Sequence, residues 1–318
     1  MNPIRFEPLL KRIRWGGTRL GTTLGKQLGT ETDYAESWEI VDHGADQSMI
    51  SSGPLAGMAL QELLRAHNVA VLGKHSGRTQ FPLLIKFLDA NDRLSVQVHP
   101  DDVRAKTFDP NENGKTEAWV IISAEPGSRL FAGLKKGVSA GSMRTAIENG
   151  TLADCLHSFE VSAGDCVFIP AGTVHAIAEG ILLAEVQQSS DMTFRLDDWG
   201  RVGADGQPRE LHIEQALACT DFETGPVNCQ KPRPVAGGQE LVTCDYFTIR
   251  RYSGPGQVPL PADNRFHILM GLAGEASVIA GSDVEILSLG QTLLLPAERD
   301  ISTINLSSAN IVLDIFLP

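Results

Sequence analysis

The chain has 318 residues, 42% of them hydrophobic and 21% charged, with a formal net charge of −12. That length and apolar content can bury a substantial core, in two domains or one elaborated domain. The acidic excess repels phosphate backbones and excludes nucleic acid as a partner, and an anionic small molecule would need a local cluster of cations to receive it.

The 31 glycines and 17 prolines call for many turns, which favours a fold of short strands. The five cysteines (Cys155, Cys166, Cys219, Cys229 and Cys244) contain no C-x-x-C pair and read as reduced thiols. The N-terminal residues Met1 to Glu7 lack the apolar stretch of a signal peptide, and no run approaches a membrane span. A cytoplasmic protein with no membrane partner is expected.

Residues 1–57 read as loops and short strands punctuated by glycine. Over 58–75, Leu60, Leu63, Leu64, Val71 and Leu72 recur near helical spacing, with Gly73 as a stop. Leu83 to Leu88 is a buried-strand run that contains Lys86, a cation too expensive to bury without a partner. Leu94 to His99 alternates with period two, so Ser95, Gln97 and His99 share one face until Pro100 ends the strand. Asp101 is placed to cap a helical segment from Asp102 to Lys106.

Thr116 to Ser123 reads as a further strand. Residues 139–157 read as a helix with Met143, Ile147, Leu152 and Leu156 along one side, and Gly150 as a point where it can split. Strands resume from Phe159 to about Gln188, and a short helix is expected over Ile213–Cys219. The Pro- and Gly-rich stretch 223–238 reads as a linker. Beyond it, residues 240–318 show strands and turns with almost no helical pattern. An internal repeat supports two related halves: Gly164 to Pro170 resembles Gly290 to Pro296, each a glycine, five strand-type residues and a proline. Where the first copy continues to His175, the second has Ile301.

The segment Gly164-x5-Pro170-x-Gly172-x2-His175 resembles the second motif of the cupins, small jelly-roll barrels that often hold a metal. Gln97, His99 and Glu117 occupy the places of the first motif, with Gln97 replacing a histidine. The resemblance implies a mainly β protein of two cupin-like jelly-roll barrels, with a few helices inserted in and around the N-terminal one. The divisions are a catalytic domain over 1–222, the linker 223–238, and a C-terminal domain over 239–318 without a metal site. Two imidazoles and a carboxylate suit zinc with an open coordination position, and Gln97 is a weak neutral donor beside them. The same set serves non-haem iron oxygenases, so the ligands alone leave metal and reaction open. His43, His67, His75, His157, His212 and His267 lack such context and carry no site role.

Four segments together resemble the type I mannose-6-phosphate isomerases, in particular the short bacterial form. They are Leu94 to Pro100, Gly114 to Trp119, Ile169 to Ala176, and Glu185 with Arg195 around Gln187 to Phe194; weaker echoes lie at Trp15-Gly16-Gly17 and Glu36 to Glu39. The resemblance implies interconversion of mannose 6-phosphate and fructose 6-phosphate with one zinc ion per chain, on a protein that is a monomer or homodimer. Carried over by position, Gln97, His99, Glu117 and His175 hold the metal. Arg195 is the catalytic arginine, and Ser95, Lys86, Lys115 and Arg195 hold the phosphorylated sugar. The chemistry is consistent: an aldose–ketose exchange through an enediol places negative charge on sugar oxygens, which a metal and a guanidinium both stabilise. Glu185 and Lys115 are both candidates for the base, and Glu185 can instead pair structurally with Arg195. Two other readings use the same motifs, a cupin metal-dependent oxygenase and a non-enzymatic sugar-binding cupin. The cluster Lys86, Lys115 and Arg195 argues against the first, and the full ligand set against the second.

Overall fold

A computed structural model describes residues 1–202 and 206–318, and strands dominate it. The chain forms two compact units that are discontinuous in sequence: Met1–Lys11, Thr18–Phe87 and Gln230–Pro318 make the first, Arg12–Gly17 and Leu88–Cys229 the second.

In the second unit a five-stranded sheet runs in the order Leu156–Glu160, Arg129–Leu134, His175–Ile177, Val96–Val98, Phe194–Asp197. All its pairings are antiparallel. Cys166–Ile169, Glu117–Ala124 and Ile181–Gln188 pair in that order in another sheet. The period-two pattern decides which way each side chain of the first sheet faces. Val96, Val98, Val174, Ala176, Phe194 and Leu196 join one buried cluster with Met143, Leu152, Leu156, Ala216 and Cys219. Each Val, Leu, Met or Phe side chain so removed from water stabilises the fold by ~1.5–3 kcal/mol before the entropy of ordering it is counted. Burying these alternate residues commits the intervening Gln97, His175 and Arg195 to the opposite face.

Two helices cover that apolar cluster. Ala140–Glu148 begins where Ser139 accepts a hydrogen bond from the Ser142 amide, and contributes Met143. Ile213–Cys219 contributes Ala216 and Cys219, and its bounds are those expected from the sequence. The expected helix over 139–157 is corrected: it stops at Glu148, Gly150 takes φ +68°, Leu152–Cys155 is a 3₁₀ turn, and Leu156 opens a strand. Leu152 and Leu156 reach the same core from these other conformations, so their spacing recorded burial and not helical periodicity.

In the first unit the expected helix appears as Leu60–Leu72, continued by a 3₁₀ turn at Gly73–His75. Its C-terminal part holds a six-stranded sheet, Arg233–Val235, Gly238–Thr243, Thr248–Ser253, Ile311–Phe316, His267–Ala273, Thr292–Leu295, and a four-stranded one, Gly256–Leu260, Ser302–Leu306, Glu275–Ala280, Asp283–Ser288. Leu269, Leu293 and Val312 from the six-stranded sheet meet Val278, Leu287 and Ile304 from the other in one core. Arg233–Val235 is thus a paired strand inside the stretch that read as a linker. Gly164 and Gly290, the first residues of the internal repeat, both have positive φ, at +90° and +78°, and strands Cys166–Ile169 and Thr292–Leu295 follow them. A Cβ on Gly290 would lie 2.3 Å from the Leu24 carbonyl oxygen, so glycine is required there on two counts. None of the five cysteines forms a disulfide. No helix among the described residues is long and apolar enough to cross a membrane.

Candidate active site

His99, Glu117 and His175 converge inside the second unit, each with no more than 1% of its surface exposed. Their ligand-type atoms all lie within 4.8 Å of one another. His175 opens its strand directly opposite Gln97, and Gln97 lies directly opposite Arg195 on its other side. His175, Gln97 and Arg195 therefore form a row across three adjacent strands on one face. His99 follows directly on the strand Val96–Val98, which stops one residue before it. Glu117 opens its own strand in the other sheet, between Ile169 and Gln187. Glu117 Oε1 is 3.4 Å from His175 Nε2, and Oε2 is 3.5 Å from His99 Nε2.

The hydrogen bonds fix both ring tautomers. His99 Nδ1 lies 3.0 Å from the Met192 carbonyl oxygen and His175 Nδ1 lies 2.9 Å from that of Thr173. A carbonyl only accepts, so each Nδ1 carries the proton and each Nε2 turns a lone pair toward Glu117. Burial holds the His175 pKa down, to about 4, aided by the Lys115 ammonium and opposed by the Thr173 hydrogen bond and Glu185, so the ring is neutral at pH 7. Among the described residues Glu117 Oε2 is buried without a hydrogen-bond partner, although the Lys115 ammonium stands 3.1 Å from it. The same ammonium is 3.2 Å from His99 Nε2.

This arrangement fits a cation. Two imidazole lone pairs and a carboxylate, all dry and all aimed at one point, repel one another unless positive charge sits between them. The Lys115 ammonium beside two of the three donors shows that the locus attracts such charge. Two nitrogens and one oxygen at this spacing are a donor set of the kind zinc takes. Gln97 stands at the edge, its Nε2 3.3 Å from His175 Nε2, and Ser95 Oγ, buried on the same face, is 3.5 Å from Gln97 Oε1.

Glu185, Trp119 and Gln187 also belong to this interior. Trp119 lies two residues beyond Glu117, and its ring centroid is 5.4 Å from that of His175. Trp119 Nε1 donates to Glu185 Oε2 at 3.1 Å, across the register pair Glu185–Trp119. Gln187, fully buried opposite Glu117, donates through Nε2 to the Gln188 and Ser190 carbonyls and shapes the turn that leads to Met192. Sequence reasoning missed Trp119 and Gln187, although the alternation Glu117–Trp119 and Glu185–Gln187 was the signal that places them on the ligand face.

Arg195 is half-buried. Burial pushes its pKa below the ordinary guanidinium value, and the Arg209 charge adds to this while Asp198 opposes it; the group remains charged. Its Nη1 donates to the Glu210 carbonyl at 2.9 Å. Lys86 belongs to the first unit, where it is buried with its Nζ 3.3 Å from Glu36 and 4.8 Å from the centre of the Trp38 ring, which meets the cost anticipated for a cation in an apolar strand. Asp101 caps the helix Asp102–Phe108 through Arg104 N, 2.8 Å away, as expected, and takes no other part here.

Comparison with known proteins places this geometry. Residues 4–124 match the model of the phosphomannose isomerase type I catalytic domain. The chain is 34% identical over 301 residues to the mannose-6-phosphate isomerase ManA of Bacillus subtilis, covering 92% of this chain and 93% of the relative. It is 35% identical over 297 residues to the mannose-6-phosphate isomerase of Streptococcus mutans, covering 92% of each. The crystal structure of the mannose 6-phosphate isomerase from Bacillus subtilis superposes with a TM-score of 0.90 at 29% identity, over 99% of both chains. The mainly β, cupin-like class expected from the sequence is the class found. With relatives this similar over nearly its whole length, the chain belongs to the type I mannose-6-phosphate isomerase family.

Proposed function

We propose that the protein interconverts mannose 6-phosphate and fructose 6-phosphate through an enediol, using one zinc ion held by His99, Glu117 and His175 with Gln97 as a fourth, neutral donor. The observation that carries this reading is the pair of inward-turned Nε2 lone pairs facing a buried Glu117 carboxylate. When bound, the metal supplies a Lewis acid that polarises the sugar carbonyl.

The protein's own groups supply the rest. Moving a proton between C1 and C2 needs one group that accepts it from one carbon and returns it to the other. Glu185 and Lys115 are the candidates, and Trp119 Nε1 fixes the Glu185 carboxylate in place. Arg195, on the same face as Gln97 and His175, supplies a planar, permanently charged donor for the phosphate or for the developing oxyanion. Ser95 and Lys115 are proposed to complete substrate binding. The burial of the ligand residues keeps water away from the enediol and strengthens each electrostatic contact with it.

The reaction path is tested by running the conversion in D₂O and following the sugar by NMR. Solvent deuterium at C2 of mannose 6-phosphate or C1 of fructose 6-phosphate supports the enediol; retention of the substrate hydrogen that persists in variants of both Glu185 and Lys115 that still turn over would replace it with an internal hydride transfer. Arg195→Ala tests the second part. It is expected to lower turnover by about 10² or more with zinc content unchanged, and near-normal turnover would remove Arg195 from the mechanism.

A further inference from the structure

Arg195 sits on the edge strand of the five-stranded sheet. Its backbone does not end there without partners. The Arg195 amide donates to His212 Nδ1 at 3.2 Å, and the His212 amide donates to the Arg195 carbonyl at 2.8 Å. An imidazole nitrogen thus takes the place that a neighbouring strand's carbonyl would fill. Immediately after Arg195 the register with the Gln97 strand shifts, an irregularity of the kind that re-aims a side chain.

The same short segment holds the guanidinium, because the Glu210 carbonyl accepts from Arg195 Nη1 at 2.9 Å. Three polar groups of Arg195 are fixed by residues 210–212. Arg195 Nε, by contrast, is buried and has no hydrogen-bond partner among the described residues.

His212 stands at the N-cap position of the helix Ile213–Cys219, yet its side chain makes no capping hydrogen bond. A residue kept for the helix would be expected to cap it. The ring is turned back to the strand, with its centroid 6.0 Å from that of Phe194, and the helix behind it is anchored through Ala216 and Cys219 in the same core as Phe194 and Leu196.

We propose that His212 is a positioning residue for Arg195: its Nδ1 acceptor fixes the strand backbone at Arg195 and so aims the guanidinium along the row of Gln97 and His175. The proposal rests on the reading of Arg195 as a catalytic residue. The sequence left His212 without a role, because its partner lies seventeen positions away and is a backbone amide.

The test compares His212→Asn, His212→Gln and Arg195→Ala by kcat, KM, zinc content and thermal midpoint. An asparagine oxygen falls where Nδ1 was, whereas a glutamine oxygen lies one bond further out and reaches the place of Nε2. His212→Asn is expected to keep kcat/KM within about threefold of the parent, and His212→Gln to lose about tenfold, the scale of one misplaced hydrogen bond. The loss should fall on the same parameter that Arg195→Ala changes, with zinc content and thermal midpoint held. Equal kcat/KM for the two His212 variants, with Arg195→Ala inactive, would overturn the positioning role and leave Arg195 in place. An active Arg195→Ala would overturn the reading beneath it. A loss in His212→Gln that tracked a lowered thermal midpoint or lost zinc would assign His212 to stability alone and would also overturn the proposal.

Discussion

His175 Nε2 and Glu117 Oε1 face each other at 3.4 Å, although each opens a strand of a different sheet. The ring can take that position only because the turn before it is held: the Gly172 amide donates to the His99 carbonyl at 2.8 Å and the Asp221 amide donates to the Gly172 carbonyl at 2.8 Å. One glycine thereby ties together the segments that carry both histidines.

Gly172→Ala is therefore expected to damage both fold and site. Gly172 has φ +89°, and an added Cβ would lie 3.1 Å from the Cys219 carbonyl oxygen. The left-handed backbone alone costs an L-residue about 1–2 kcal/mol. Urea unfolding should show a loss of that size, and zinc competition should show weaker binding. Parent-like values in both would mean that the turn does not set the position of His175.

Lys115→Met should move two readouts in opposite directions. The Lys115 ammonium lies 3.1 Å from Glu117 Oε2 and 3.2 Å from His99 Nε2, so it repels an incoming cation, while the proposed function gives it a part in handling the sugar. Removing it is expected to tighten zinc binding by about tenfold, a small part of the unscreened Coulomb repulsion. It should also lower turnover by about 10². Zinc binding that weakened instead would show that Lys115 mainly holds Glu117 in place.

The pH dependence of stability has a contribution from the C-terminal part of the first unit. His267 is buried, with Nδ1 2.7 Å from Asp314 and Nε2 3.4 Å from Asp263. Burial opposes the charged ring, and Arg299 does so more weakly, but the two aspartates outweigh them and the pKa is raised. A raised pKa means that the folded state holds the proton more tightly. The stabilisation is complete below the unfolded value of about 6.5 and is lost as pH rises through the higher folded value. Urea unfolding free energy of the parent should decline across that window, and His267→Gln should flatten the decline. An identical slope in both proteins would remove His267 as its source.

The convergence of His99, Glu117 and His175 was legible in the sequence because alternation and motif spacing point the same way: His99 just beyond a strand whose Ser95 and Gln97 share one face, Glu117 at a strand start, His175 after a glycine turn. Local capping was also legible at Asp101. For Trp119 and Gln187 alternation pointed to the face but not to the partners, since the pairing register is what sets Trp119 opposite Glu185 and Gln187 opposite Glu117. Leu152 and Leu156 misled, because burial near a helix produces the same spacing as a helix. The interleaving of the two compact units, with the first drawing on both ends of the chain, follows from long-range pairing, and composition along the sequence carries no trace of that.

The function proposed for His99, Glu117 and His175 is a metal-dependent exchange between two sugar phosphates. A coupled assay for mannose 6-phosphate to fructose 6-phosphate conversion, run before and after chelation and again with zinc restored, decides it. Activity that chelation abolishes and zinc recovers, and that His175→Ala lacks together with its zinc, is the predicted result. A folded, zinc-loaded protein that converts none of the sugar would exclude this reaction, and one whose activity survives complete loss of metal would exclude the metal's part in it.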